Sequence, residues 1–358
     1  MAAIDLRYYA PGFRIIINNQ TLEADISKAI LNLTVNERIN GVSNFSFVVN
    51  DEFDLQTQTF KWLDHPLFEV GNTVTIEMGY VANLQSMIYG KINTLSSSFF
   101  SEGAPTLSIE GSDASSDLLV TRKSSPQRTF NNVKYSDIAR TLAGEVGLSA
   151  TVDATSETHE EIVKRSNTNY LDFLRDLARR VNYEFYVVGK TLYFVNPKVQ
   201  EKEILTLTWG KHLISFNPTT NTTGLVTEVE VRGWNSATKK EIVGRARAGE
   251  EQTQESGRRK GSEIAQELYG EAKRVIYRPV SSSEEATNIA RAELNRASNQ
   301  LVEGRGETFG IPELRPGVTI KLDGLGTRFS GKYYLTETTH TIDGNGYKTS
   351  FNARRNAI

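Results

Sequence analysis

Apolar and polar residues alternate along most of the N-terminal third of the chain. The alternation is clearest at Asn44–Val49, where Phe45, Phe47 and Val49 fall on one side. Because successive side chains of a strand point to opposite faces, this pattern predicts short antiparallel strands with one buried face. The runs are Phe13–Ile17, Ile30–Val35, Asn44–Val49, Thr73–Met78, Met87–Leu95 and Thr106–Glu110. So many short runs in one compact segment favour a sandwich or a small barrel.

The period of the pattern changes after Gly111. Apolar residues recur at three- and four-residue spacing in 138–146 and again in 169–181, which predicts two helices. Further on, two strand patterns flank Gly189–Lys190, and this arrangement predicts a hairpin with a two-residue turn. We therefore expect a small α+β domain over 113–200.

Strand patterns return after Ile204 and again near the C-terminus, where Asp343-Gly344-Asn345-Gly346 between two alternating runs predicts a hairpin. Each of these two segments offers too few strands to close a barrel or to bury a stable sheet face. We therefore expect 201–235 and 305–358 to pair with each other as one barrel that is split in sequence.

The segment between these two halves has two different characters. Residues 236–278 mix basic and acidic side chains without any periodicity, so we expect a mobile excursion there, with a basic contact strip for a partner as the alternative. A helix is predicted over 284–298, because Ser282 and Glu285 form a capping-box pattern ahead of an apolar stripe. We expect this stripe to cover the second barrel.

Composition narrows the range of possible functions. The 358 residues carry a formal net charge of -2, which argues against a dedicated nucleic-acid-binding protein. The chain has no cysteine, so disulfides, thiolate zinc sites and cysteine nucleophiles are excluded. The N-terminus lacks the pattern of a signal peptide, and no run approaches the roughly 20 apolar residues of a membrane span.

Motifs that would indicate catalysis are incomplete. The stretch that begins at His159 resembles a helical zinc-protease motif, but Val163 occupies the place of the second imidazole. The glycines at 324 and 326 lack the third glycine of a dinucleotide fingerprint, because Phe329 stands in its place. We therefore predict no catalytic, cofactor-binding or metal-ligating residue. The many carboxylates leave a cell-envelope glycoside hydrolase open, and a carbohydrate-binding β protein using Trp62, Trp209 and Trp234 also stays open as an alternative.

The order of several segments resembles a known family. The segments are Gly71–Gly79, Ile88–Ile92, Pro105–Asp113, Tyr170–Ala178, Gly310–Gly317 with the pattern G-x-P-x-L-x-P-G, Phe329–Tyr334, His340 and Gly346–Arg354. Taken together they resemble the phage late control protein D family, the baseplate hubs of contractile phage tails and related injection systems, akin to the N-terminal hub part of VgrG. The positions that carry the motifs and their turns are Gly90, Gly111, Asp113, Pro312, Pro316, Gly317, Gly324, Gly331, Tyr333 and Tyr347.

The resemblance implies a fold class that is mainly β with an α+β insertion. It implies two tail-tube-like antiparallel β-barrels, the second of them split in sequence, plus a small α+β domain. The expected domains are 1–112 as the first barrel, 113–200 as the α+β domain, 201–235 with 305–358 as the second barrel, and 236–304 as the insertion with its mobile segment and covering helix.

The resemblance also implies a structural, non-enzymatic role without cofactors. Three copies would form a ring that adapts a sixfold tail tube to a threefold spike. The implied partners are the other copies of the homotrimer, the ring of tail tube protein, a separate spike protein, other baseplate proteins and the tape measure. Nucleic-acid specificity and membrane insertion by the chain itself are not expected. Assembly is expected in the bacterial cytoplasm, with a final place in a phage virion or an injection particle. A secretion-type injection system stays open beside a phage tail.

Overall fold

The structure is a computed structural model that describes residues 10–80, 83–101, 103–120, 126–197, 199, 202–235, 239–253, 255 and 257–358. Residues 1–9 of the expected first barrel, and residues 121–125 of the connector into the α+β domain, lie outside the described residues.

Strands dominate the described chain. They are β1 Pro11–Ile17, β2 Gln20–Thr21, β3 Ile30–Arg38, β4 Asn44–Asn50, β5 Phe53–Asp54, β6 Thr59–Phe60, β7 Thr73–Tyr80, β8 Asn83–Ser98, β9 Thr106–Asp113, β10 Arg128–Val133, β11 Ser149–Val152, β12 His159–Lys164, β13 Glu184–Val188, β14 Thr191–Val195, β15 Thr206–Thr208, β16 Leu213–Thr220, β17 Glu228–Asn235, β18 Lys240–Arg247, β19 Lys273–Tyr277, β20 Val302–Phe309, β21 Thr319–Asp323, β22 Gly331–Asp343 and β23 Gly346–Arg355. The helices are α1 Ala24–Ala29, α2 Asp117–Val120, α3 Tyr135–Glu145, α4 Tyr170–Arg180, α5 Gly261–Tyr269, α6 Ser283–Ser298 and α7 Gly326–Phe329.

One sheet of thirteen strands forms the body of the molecule. Its main order is β16-β20-β23-β22-β3-β4-β9-β8-β7-β1-β2, and β21 and β15 branch from β22. The first half contains β1 to β4 and β7 to β9, and the second half contains β15, β16 and β20 to β23. The fold class predicted from sequence, mainly β with an α+β insertion, is confirmed.

The two halves are joined strand to strand. β3 pairs antiparallel with β22, from Arg38 opposite Glu337 to Asn32 opposite Asp343. The expected two barrels are therefore two halves of one continuous sheet. Each half has its own apolar core, with Val35, Phe45, Phe47 and Ile76 among the first and Leu207, Ile320, Leu335 and Phe351 among the second.

Strands from both sides of the insertion meet in the second half. β16 pairs antiparallel with β20, and β15 pairs parallel with β21. Residues 228–235 behave differently from the expectation, because β17 lies in a separate three-stranded sheet with β18 and β19. The assignment of the whole of 201–235 to the second barrel was therefore wrong for its last strand. The other expected domain boundaries stay predictions.

Residues 236–278 form regular elements although their sequence has no periodicity, and the expected mobility of this segment stays a prediction. This segment contributes β18, α5 and β19. The inward positions of β18 are Ile242, Gly244 and Ala246, and two of these three residues are too small to show as a hydrophobic alternation. Gly244 is packed so closely against α6 that a Cβ there would collide with the backbone at Ala286 and Thr287.

Helix α6 forms where the sequence predicts it. Ser282 is its N-cap, and its hydroxyl accepts from the Glu285 amide at 2.9 Å. Only this half of the capping box forms, because the Glu285 carboxylate accepts from Ser281 instead. The apolar stripe of the helix packs on β17 and β18, where Ala286, Ile289 and Leu294 share a core with Val229 and Val231. The expectation that it covers the second barrel was wrong.

The α+β segment has a core of its own. Helices α3 and α4 pack against the sheet β11-β14-β13, with β10 and β12 paired beside it. Asn169 caps α4 by accepting from the Asp172 amide at 2.7 Å. The hairpin through Gly189–Lys190 and the one through Gly344–Asn345 both form as the sequence predicts.

The α+β unit packs where the two half-sheets meet along β3 and β22, which we call the junction. Asn40 lies in the turn between β3 and β4. Its amide donates to the Phe185 carbonyl at 2.7 Å, and its Oδ1 accepts from the Phe185 amide at 2.9 Å. Glu184 accepts from the Tyr334 hydroxyl at 2.5 Å and from Arg354 at 2.8 Å. The α+β unit therefore holds both halves through polar contacts.

Candidate assembly site

The loop 310–317 carries the G-x-P-x-L-x-P-G motif, with Pro312 and Pro316, and crosses between the half-sheets. The Arg315 guanidinium donates to the carbonyls of Ser86 at 3.0 Å and Met87 at 2.8 Å, and it forms an ion pair with the Glu37 carboxylate. Burial raises the pKa of Glu37 to about 7, and the positive charge of Arg315 opposes that rise. A charged loop residue of the second half is thus anchored on two strands of the first.

Two further contacts reinforce this crossing. The Tyr80 hydroxyl donates to the Gly310 carbonyl at 2.8 Å, and Gln85 donates to the Glu313 carboxylate at 2.6 Å. The ring of Tyr80 lies 5.8 Å from that of Tyr347. Tyr347 is one of the motif positions, and it lies directly beneath the loop, since the Gly310 amide donates to its carbonyl at 2.8 Å.

His340 lies at the centre of the junction and is completely buried. Its Nε2 lies 2.9 Å from the Leu314 carbonyl, which can only accept, so Nε2 carries the proton. Nδ1 then accepts from the Tyr347 hydroxyl at 2.9 Å and lies 3.1 Å from the Thr349 hydroxyl. Burial lowers the pKa of His340 to about 3, so the imidazole is neutral and fixes the loop as a hydrogen-bonding element.

Asp113 ends β9 and orders the start of the next segment. Its carboxylate accepts from the Ser43 amide at 3.3 Å and from the Ser115 amide and hydroxyl at 3.0 and 2.5 Å. Burial raises the pKa of Asp113 to about 6, against the effect of these hydrogen bonds. Gly90 pairs with Asp113 across the ladder, and a Cβ at Gly90 would collide with the Ser112 carbonyl. Gly90 and Asp113 therefore fix strand packing.

The other predicted motif positions lie at turns and in the second core. Gly317 has a φ of +88°, in the region that favours glycine, and its amide donates to the Leu335 carbonyl at 2.9 Å. Gly324 lies in the turn after β21, and Gly331 begins β22. Tyr333 is buried, donates to the Phe329 carbonyl at 2.9 Å and stacks beneath the guanidinium of Arg355. The structure thus brings Tyr347 and the loop prolines together, and leaves Gly90, Gly111 and Asp113 in the other half.

The ends of the large sheet are the second feature with assembly chemistry. β16 pairs with β20 on one side, and among the described residues its other side has only an isolated bridge from Leu213 to Trp209. At the opposite end β2 pairs with Ile16 and Ile17, and the Leu22 amide donates to the Ile15 carbonyl, so residues 11–14 of β1 have no described strand partner beyond β7. Ile214 on β16 is 54% exposed. Unpaired edges of this kind bind further strands.

The tryptophans do not form a shared sugar-binding platform. Trp62 is buried in the core of the first half. Trp209 and Trp234 are exposed, but Trp209 follows β15 in the large sheet, whereas Trp234 lies on β17 in the separate one. None of the described helices is both long and apolar enough to cross a membrane.

Solved structures share this fold along nearly the whole chain. The 43 kDa tail protein of prophage MuSo2 from Shewanella oneidensis is 13% identical, with a TM-score of 0.73 over 96% of this chain and 98% of that chain. The tail protein from Neisseria meningitidis MC58 is 12% identical, with a TM-score of 0.71 over 97% of both chains. The E. coli c3393 protein, a component of the type VI secretion system with structural similarity to the T4 tail proteins gp27 and gp5, is 13% identical, with a TM-score of 0.57 over 92% of this chain and 74% of that chain. The fold inferred from the sequence resemblance is therefore confirmed.

The family assignment is more specific than the fold. No curated protein matches the chain significantly. The family model that matches is not the late control protein D model named by the sequence resemblance, but that of the Alg8 N-terminal domain, over residues 10–344. The chain belongs to the Alg8 N-terminal domain family.

Proposed function

We propose that this protein is a structural baseplate hub of a contractile tail or injection particle, in which three copies form a ring between a sixfold tail tube and a threefold spike. The observation that carries the proposal is one continuous sheet with two halves and an open edge at each end. Three chains with two halves each supply six positions. The shared fold with phage tail proteins supports this role.

The open edges suggest how the ring closes. β16 has eight residues, and residues 11–14 of β1 are free, so the edge of β1 can pair with about half of β16. Pairing of β16 of one copy with this part of β1 of the next satisfies the free amides and carbonyls along the paired stretch. This contact is heterologous, and a heterologous contact repeated by rotation closes into a ring.

The junction gives the ring its rigidity. Arg315 and Tyr80 tie the two halves together through buried or partly buried polar contacts, and such contacts hold one angle between the halves. His340 fixes the motif loop within the second half. In this proposal the tube ring binds one face, and the spike, other baseplate proteins and the tape measure bind the other side of the hub.

The role that we propose is not catalytic. The buried carboxylates whose pKa is raised, Glu37, Asp113 and Glu184, each accept hydrogen bonds from structural partners in the junction or in the docked α+β unit. A perturbed pKa is as typical of such a network as of an active site.

Light scattering during size exclusion tests the hub. The chain, alone at high concentration or with tube and spike proteins, should give roughly 120 kDa, three times its mass of 39.9 kDa. Ile214→Lys places a charge on the β16 edge and should yield the monomer. Val70→Lys is the matched control, because Val70 is 64% exposed and lies outside both edges, and it should leave the trimer intact. A strict monomer under all these conditions would contradict the proposal.

A further inference from the structure

Three potential metal ligands meet where the α+β unit faces helix α6. Glu157 precedes β12, His159 begins it, and Glu285 lies in the first turn of α6. One ligand atom from each lies within 4.8 Å of the other two. The closest approach, between His159 Nδ1 and Glu285 Oε1, is 3.5 Å.

The imidazole of His159 is buried and faces Glu285. The residue is 6% exposed, and its Nδ1 lies 3.5 Å from Glu285 Oε1. The ring stacks on Tyr135 with centroids 4.2 Å apart, which fixes its orientation. A separation of 3.5 Å is longer than a normal hydrogen bond, so an ion between the two groups could bind both.

The carboxylates of Glu285 and Glu157 are also held in place by hydrogen bonds. Glu285 Oε2 accepts from the amide and hydroxyl of Ser281 at 2.7 and 2.8 Å. Its Oε1 faces His159 and also accepts from the Tyr135 hydroxyl at 3.4 Å. Glu157 accepts from Asn288 at 2.8 Å. A cavity of about 20 Å³ lies among these side chains, which is room for one small ion or water.

The charges around the cavity favour a cation. Glu157 and Glu285 both line the cavity, and Glu284 lies next to Glu285 in the first turn of α6. Arg180 also lines the cavity, and its guanidinium is bound to Asp176 at 2.8 Å.

We propose that Glu157, His159 and Glu285 bind one divalent transition-metal ion of the Zn²⁺ type, with water as a fourth ligand. Imidazole with carboxylates suits zinc better than magnesium or calcium. An ion at the centre of the three atoms lies within about 2.8 Å of each, so small side-chain shifts reach the ~2.0–2.2 Å of zinc bonds. The ion would link the α+β unit to α6, which the proposed hub function does not require.

Calorimetry of the tag-free, EDTA-treated chain with Zn²⁺ alone tests the site. We expect one ion per chain, no saturable heat with Mg²⁺ or Ca²⁺, and visible bands of a four-coordinate complex with Co²⁺. Zn²⁺ at about 100 times its Kd should raise the Tm by roughly 3–5 °C.

Two variants and one control decide the outcome. Glu157→Gln keeps the size of a half-buried side chain, and His159→Gln removes the imidazole; each should weaken Zn²⁺ binding at least tenfold and remove the Tm shift. His65→Gln changes a histidine in the first half of the sheet and should bind Zn²⁺ as the wild type does. Absence of saturable Zn²⁺ binding, or equal binding by wild type and both variants, would overturn the proposal. Trimer formation is measured separately, so a failure here leaves the hub proposal untouched.

Discussion

The polar contacts between buried residues at the junction could not be predicted from any local sequence pattern. Arg315 and Glu37 are 278 positions apart, so neither residue predicts the other. The motif loop was recognisable from its prolines and glycines, but its use as a bridge depends on which strands lie beneath it. The same is true of His159 and Glu285, whose shared cavity exists only in the folded chain. Residue types and turns could be predicted here, and long-range pairs could not.

His340 should make the protein less stable in acid. Its pKa is about 3 in the folded chain, against 6.5 for an ordinary histidine, so below pH 6.5 the unfolded chain takes up a proton that the folded chain does not. The free energy of unfolding should therefore drop by about 2 kcal/mol between pH 7.5 and 5 through this residue. His340→Gln should remove that part of the pH dependence in denaturant unfolding curves. Identical pH dependence in wild type and variant would show that His340 does not titrate this way.

Loss of Arg315 should be costly because it leaves Glu37 buried without its partner. We expect Arg315→Ala to lower the free energy of unfolding by about 3 kcal/mol. Arg14→Ala is the control, since Arg14 pairs with Glu77 on the surface at 3.0 Å, and it should cost under about 1 kcal/mol. Urea unfolding of both variants measures the difference. Equal losses would mean that the loop is not anchored as described.

At the scale of elements, the strength of the hydrophobic pattern decides what the sequence reveals. The helix α6 and the hairpin β22–β23 carry strong signals, a cap with an apolar stripe and an Asp-Gly-Asn-Gly turn, and both form as predicted. β18 buries Gly244 and Ala246, whose small side chains leave no visible alternation. The close approach of α6 determines the place of β18 in a separate sheet. This tertiary contact could not be predicted from the sequence of the strand alone.

Gly111 should be irreplaceable for packing in the first half. A Cβ there would collide with the Lys91 carbonyl and the ring of Phe45, so Gly111→Ala should cost about 2 kcal/mol or more. Gly144 offers the matched control, because it lies in α3 with nothing within 4 Å of a Cβ. Gly144→Ala should instead stabilise the protein by about 0.5–1 kcal/mol. Thermal unfolding of the two variants distinguishes them, and a neutral Gly111→Ala would contradict the packing described.

At the scale of the whole molecule, the two halves form one open sheet whose ends are far apart in its strand order. In the hub proposal, this continuous sheet with an edge at each end is one segment of a larger ring. The hub proposal also requires the two halves to share one topology, since each would occupy an equivalent position around the tube.

Disulfide cross-linking of the two edges tests the ring most directly, because the natural chain has no cysteine. Arg14→Cys on β1 would be combined in one chain with Ser215→Cys or Asn217→Cys on β16, positions on one face of the strand. After mild oxidation, the account predicts a covalent ladder that ends at three chains, with single-cysteine variants stopping at dimers. A ladder that extends beyond three chains, or the absence of any cross-link in assembled particles, would contradict the threefold hub.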